Sequence, residues 1–206
     1  MLGVVEAVHQ KISSPWQSLC ILHADRVMAT QAFVIRQGVE GDLGGIMSIV
    51  SEVVPMMNAV GNFQWQVGFY PLEANFVTDI QKRYCYVACE GGADGAIVGV
   101  AALTEDQDDY IQVCECAREK SIVPHRVAVR ASFQGRGVAR AFLLKAEQLS
   151  REAAYNVVRI DTNIENKAMQ HIFKSLGYSF KGEIQLPGKV AGLRFVCYEK
   201  YLSVQT

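Results

Sequence analysis

The sequence predicts one α/β domain built on a mixed sheet, and three observations carry that prediction. Strand-like and helix-like segments alternate from residue 31 onward, in the order β-α-α-β-β-β-α-β-α-β-β. The chain has 206 residues, 50% of them hydrophobic, which suits one well-buried core and is too little for two. A strand also runs directly into a glycine-bearing turn that opens an amphipathic helix, a junction that belongs to α/β architecture.

The elements follow in order. Ala32 to Arg36 is a short strand. Residues 42–54 set Leu43, Ile46, Ile49, Val50 and Val53 at helical spacing. An aromatic loop over 61–71 leads to a second helix, Leu72 to Lys82. Tyr84 to Glu90 reads as a strand, and the turn Gly91-Gly92-Ala93-Asp94-Gly95 folds it back on Ala96–Leu103 as a hairpin. The acidic stretch 105–109 is read as a solvated excursion. Val123 to Ala131 is β-like, and Gly137 to Ala154 aligns Val138, Phe142, Ala146, Leu149 and Ala153 on one helical face. Val157 to Thr162 is the next strand. Residues 165–176 repeat the helical spacing with Met169, Ile172, Phe173 and Leu176. Thr162 and Glu165 stand in capping-box spacing at their start, and Gly177 suits a left-handed C-cap. Strands over 178–186 and 193–200 complete the order.

Residues 1–30 lack a sustained period and are expected to form an extension outside the 31–206 domain, with Met28 an alternative initiator. A transit peptide fits poorly, because Glu6 and Asp25 are acidic and Arg26 is the sole arginine before Arg36. Twenty basic and 21 acidic residues give a net charge of -1, which argues against nucleic acid and anionic lipid as partners. No apolar run approaches the ~20 residues that span a bilayer. The six cysteines are scattered, and Cys114-Glu115-Cys116 finds no second pair, so no metal is expected. Reduced thiols and the lack of a secretory signal point to the cytoplasm.

The chemistry lies in Val127-Ala128-Val129-Arg130-Ala131-Ser132-Phe133-Gln134-Gly135-Arg136-Gly137-Val138-Ala139-Arg140. A strand-to-helix turn of this kind can aim unpaired N–H groups, backed by the helix dipole, at one anion. Gly135 and Gly137 leave no Cβ in the way. The natural ligand is a pyrophosphate. A P-loop is excluded, since no Gly-Lys-Ser/Thr closes the turn, and a dinucleotide fingerprint fails because position 140 is Arg. An ordinary tight connection is the plainer reading of the turn taken alone.

Gln134-x-x-Gly137-x-Ala139 resembles the Gln/Arg-x-x-Gly-x-Gly/Ala signature of the GNAT acetyltransferase superfamily, and Asn166 through Gly177-Tyr178 resembles its second signature, an Asn-led helix ending in Gly-Phe/Tyr. The resemblance covers residues 31–202 and implies a mixed, mostly antiparallel sheet of about seven strands with about four helices and splayed central parallel strands. It implies acetyl-CoA as co-substrate, with the amides from Gln134 through Arg140 (Gln134, Gly135, Arg136, Gly137, Val138, Ala139, Arg140) on the pyrophosphate. Val127, Ala128 and Val129 would pair with the pantetheine arm, and the Val129 N–H would polarise the thioester carbonyl. Asn166 would hydrogen-bond near the cofactor, and Phe173 would adjoin it. The implied reaction is acetyl transfer to a primary amine, on a small molecule or a peptide, by direct attack in a ternary complex. Two copies pairing through late strands is a further family habit.

The chain departs from the family at Phe173, where many members carry a Tyr whose phenol protonates the leaving thiolate. Water or Tyr178 would then serve, and Phe173 also reads simply as a core residue. The departure keeps open an alternative, a non-catalytic acyl-CoA-binding or sensing module. His125 is the candidate base, placed by strand alternation on one face with Val127 and Val129, though strand histidines are often structural. Glu105 is a weaker candidate. Trp65 and Tyr70 either wall an acceptor pocket or seal the core under their loop.

Overall fold

The computed structural model describes residues 33–107, 110, 112–114, 119–186 and 192–203. The expected extension over 1–30, with Met28, lies outside them. The predicted element order is observed. It runs β1 Phe33–Gln37, α1 Leu43–Ala59, α2 Glu73–Gln81, β2 Cys85–Glu90, β3 Ile97–Thr104 and β4 Ser121–Val129. After these come α3 Val138–Glu152, β5 Val157–Asn163, α4 Lys167–Ser175, β6 Ser179–Ile184 and β7 Phe195–Tyr201.

The seven strands form one sheet in the order β1-β2-β3-β4-β5-β7-β6. Every neighbouring pair is antiparallel except β4 and β5. That parallel pair is joined at only Ser121↔Val157 and Ile122↔Val158, so the two strands part over the rest of their length.

One face of the sheet is covered by α3 and α4. Phe142, Leu143, Ala146, Phe173 and Leu176 pack there on Val98, Ala101, Val158 and Ile160. The other face is divided. Ile46, Ile49, Val53 and Val54 of α1 and Phe76 of α2 cover Val87 and Val100. Beyond the split, Tyr110 and Cys114 of the β3–β4 excursion cover Val123, Phe195 and Cys197. The excursion is thus not wholly solvated. Tyr110 is 1% exposed, because its ring packs in the cluster of Val123, Phe195 and Cys197.

Two local expectations are corrected. Helix α1 does not stop before Pro55 but runs on to Ala59. Proline removes one N–H bond to the carbonyl four residues back, and the buried Val53 and Val54 hold the helix together across that gap. Helix α4 is not capped by a Thr162–Glu165 box, because Thr162 still belongs to β5. Asn166 is the N-cap instead, its Oδ1 accepting from the Met169 N–H at 3.3 Å while its Nδ2 donates to Thr162 Oγ1 at 3.0 Å.

Candidate active site

Strand β4 reaches the split with a break in its register. Ala102 stands opposite His125 and Val100 opposite Ala128, so β4 fits one residue more than β3 between those pairs. Arg126 absorbs the extra length in a left-handed conformation, φ 51°. Its guanidinium clamps the distortion: Nε and Nη2 donate to the two Asp79 carboxylate oxygens at 2.7 and 2.6 Å, and Nη1 donates to Tyr70 Oη at 3.1 Å.

The bulge overturns the expected alternation. Val127 and Val129 pack toward α3, on the cluster that holds Phe142. His125 lies opposite Ala102, whose other partner Cys85 belongs to the α1–α2 cluster together with Ala128. His125 therefore shares its face with Arg126 and Ala128, not with the two valines.

Past the bulge, the Arg130 N–H donates to Val98 O at 2.9 Å. Alternation along the strand then commits the Ala128 amide to β3 and turns the Val129 N–H toward the gap left by β5. The Val129 carbonyl accepts from Gln134 Nε2 at 3.2 Å.

A 3-10 turn, Ala131–Phe133, links β4 to the loop before α3. Within this turn the Gln134 and Arg136 N–H groups donate to Ala131 O and Phe133 O at 3.2 and 3.3 Å, so these two predicted donors are already occupied. Those of Gly135, Gly137, Val138, Ala139 and Arg140 have no protein acceptor among the described residues. Gly135 and Gly137 adopt φ 75° and 85°, and a Cβ on either would project into open space. The result is a cluster of free amides at the positive end of a helix running from Val138 to Glu152.

A groove of about 740 Å³ runs from these amides along the gap. The Val127–Val129 segment forms one side, Met56 and Met57 of α1 with Val60 just past its end a second, and Met169 and Ile172 of α4 with its N-cap Asn166 a third. At its inner end it shares Val127, Asn166 and Met169 with a smaller chamber of about 80 Å³. That chamber is walled by Trp65, Tyr70, His125, Arg126 and Asp161. Gln64 straps the aromatic loop to β5, its Oε1 accepting from the Asn163 N–H at 3.0 Å.

The Acetyltransferase (GNAT) family model matches residues 51–178, more than half of the chain. The chain belongs to the GNAT acetyltransferase family. A GNAT acetyltransferase of Streptococcus agalactiae is similar in structure, with a TM-score of 0.68 and 27% identity over 83% of this chain and 96% of that one. A Listeria monocytogenes GNAT acetyltransferase gives 0.64 and 20% over 82% and 95%. A Salmonella typhimurium acetyltransferase with its cofactor acetyl-CoA gives 0.61 and 17% over 84% and 96%. The last two likenesses show the fold alone. No curated protein matches the chain by sequence. As a member of the family the protein is an N-acetyltransferase with acetyl-CoA as co-substrate.

Within this GNAT frame the individual residues sort clearly. His125 is half-buried in the chamber wall, with Nε2 3.4 Å from Asp106 O. A carbonyl can only accept, so this contact puts the ring proton on Nε2 and leaves the lone pair on Nδ1. Burial pushes the His125 pKa below its ordinary value, against the upward pull of Asp161. Trp65, at 5% exposed, both walls the chamber and joins the core beneath its loop, and Tyr70 is half-buried beside it.

Phe173 does not adjoin the groove. It is 0% exposed, with its ring 5.3 Å from that of Tyr198 and 6.2 Å from that of Tyr178. On α4 it falls on the sheet side of the helix, while Asn166, Met169 and Ile172 face the groove. Tyr178 is likewise buried in the α3–α4 core, which raises its pKa, and it lines neither cavity. Glu105 is exposed at the end of β3, and His171 is exposed on α4. Among the described residues no helix is long and apolar enough to cross a membrane.

The sequence reading missed Arg126, Gln64 and Asp161. The last had a signal: in β5, Val158 and Ile160 alternate with charged Arg159 and Asp161, which is unusual for a strand at the centre of a sheet.

Proposed function

We propose that this GNAT protein moves the acetyl group of acetyl-CoA onto a primary amine by direct attack, with both substrates bound together. The observation that carries the reading is the chamber itself, which opens off the inner end of a groove headed by free amides and has His125 in its wall. The amides of Gly135, Gly137, Val138, Ala139 and Arg140 would hold the diphosphate, where the α3 dipole adds to them. The Val127–Val129 segment and Asn166 would flank the pantetheine arm, and Trp65 and Tyr70 the acceptor.

The chemistry supplied by acetyl-CoA is a thioester carbonyl open to a nucleophile. The Val129 N–H is aimed into the gap and would donate to the oxygen of that carbonyl, a contact commonly worth ~10²–10³ in rate. His125, neutral because its pKa is depressed, would take a proton from the incoming ammonium at Nδ1. Phe173, which has no hydroxyl and lies in the core, and the buried Tyr178 offer no phenol to the departing sulfur. A thiol with a pKa of about 8.5 leaves without one near neutral pH. The free thiols of Cys85, Cys89, Cys114 and Cys197 suit a reducing cytoplasm as the setting.

The test is release of free CoA thiol across a panel of primary amines, by wild type and His125→Ala. Turnover that falls at least ~100-fold in the variant supports the assignment. An unchanged rate removes His125 as the base. Acetyl-CoA binding without turnover of any amine leaves a binding module in place of an enzyme.

A further inference from the structure

The small chamber carries a charge imbalance that acetyl transfer does not by itself require. Asp161 of β5 and Arg126 of β4 bring opposite charges to its wall. Arg126 is already committed to both oxygens of Asp79 and to Tyr70. The cation of β5 itself, Arg159, is 0% exposed and tied to Glu199 at 2.9 Å. Asp161 has no ion pair among the described residues. Its Oδ1 accepts a hydrogen bond from the Tyr110 hydroxyl at 2.5 Å, which is a neutral donor. Asp161 pairs in register with Cys197, which packs in the cluster of Val123 and Tyr110, so it lies on the same sheet face as His125. A half-buried carboxylate with a hydroxyl for company is under-compensated, and a cation seated beside it restores the balance.

We propose that Asp161 is the seat of the acceptor's ammonium group. The acceptor is then a primary amine that arrives as a cation and carries no carboxylate on its amine-bearing carbon. The second condition follows from the first. A carboxylate held that close would face Asp161, and the guanidinium that could answer it is bound to Asp79. A chamber of about 80 Å³ takes the amine and its first carbons and leaves the remainder of the molecule outside. Asp161 is a positioning residue in this scheme. It holds the ammonium within the same enclosure as His125, which removes one proton before attack. The inference rests on the acetyl-transfer reading above.

Calorimetry on the full chain saturated with unreactive CoA separates the two. Glycinamide and propylamine are expected to bind at least tenfold more tightly than glycine. In Asp161→Asn that advantage should vanish, and Asp161→Glu should restore part of it, while CoA affinity stays the same in all three proteins. Equal affinities for glycinamide and glycine overturn the proposal, as do amine affinities unmoved by Asp161→Asn or no binding of any probe by a protein that still binds CoA. Failure to bind CoA overturns the transferase reading instead, and the amines titrated into CoA-free protein still judge Asp161. A short peptide with a free N-terminus, binding more tightly than glycinamide, identifies peptides as the source of the amine; propylamine as the tightest probe identifies a small amine. Either ranking upholds the carboxylate seat.

Discussion

Replacing Asp79 by Ala should destabilise the protein far more than an ordinary helix-surface substitution, and the reason is the bulge in β4. The Asp79 and Arg126 side chains are 5% and 14% exposed, and the pair is joined by two charge-assisted bonds of 2.7 and 2.6 Å. With the carboxylate gone, the guanidinium retains the Tyr70 hydroxyl and whatever water the small chamber can supply. Orphaning one member of a buried pair costs about 3–5 kcal/mol. Access to the chamber argues for the lower end, about 3 kcal/mol. For a chain of this size that corresponds to a fall in Tm of roughly 6–12 °C. With a urea m-value of about 2–3 kcal/mol/M, the unfolding midpoint should fall by about 1 M or more. Fluorescence of the buried Trp65 is the natural probe.

A second arm isolates the pair. Arg126→Met should cost a similar amount, since it orphans Asp79, and so should Asp79→Leu, which orphans Arg126, while the two substitutions together orphan neither charge. The double variant should recover most of the loss, because apolar replacement of a buried pair is often neutral or better. Losses that simply add in the double variant, or a single-variant cost below about 1 kcal/mol, would refute the claim that this pair clamps the bulge.

Four further expectations follow from the same structure. Since burial lowers the His125 pKa, the acid limb of the kcat/KM profile should lie below about pH 6.5 and disappear in His125→Ala, which a pH series on any accepted amine can read. The same depressed pKa contributes stability that is complete above the unfolded value of about 6.5 and is lost as pH falls through the folded value, so wild type should lose its stability margin over His125→Ala on acidification. Gly137→Ala forces a Cβ onto a residue at φ 85° and should cost about 1–2 kcal/mol in urea unfolding, with weaker CoA binding by calorimetry. Gly99→Ala would bring a Cβ within 2.8 Å of Val138 Cγ1 and 3.3 Å of Ala128 O, where α3 presses on the sheet; a loss of about 1–3 kcal/mol in the same assay is expected.

Most of the architecture was legible because periodicity reports burial. Val138, Phe142 and Ala146 marked the buried stripe of α3, and the glycine turn before them marked the free amides. What escaped depends on residues distant in sequence. Nothing within β4 announces that Arg126 will leave the extended region. Its partner Asp79 lies 47 residues away on α2, and the side-chain alternation on both sides of Arg126 shifts as a consequence. Phe173 carried two readings, one beside the cofactor and one in the core, and the core reading holds. On α4 the stripes facing the sheet and the groove are adjacent, and periodicity does not say which one a residue at their border joins.

The bulge also explains why the groove stands where it does. In a regular parallel pair, β5 would continue up β4 and occupy its outward N–H and C=O groups. Pairing ends at Ile122, and four residues later Arg126 turns out of line, held by Asp79. Beyond that point the outward amide of Val129 has lost its ladder partner in the middle of a sheet, a position where such groups are normally satisfied. In the proposed reading an extended pantetheine arm replaces the missing length of β5. On that reading the ion pair would do more than stabilise, since it holds Arg126 out of line where β4 and β5 have already parted. Variants that lose the clamp should therefore lose affinity for CoA as well as stability, although neither Asp79 nor Arg126 lines the larger groove.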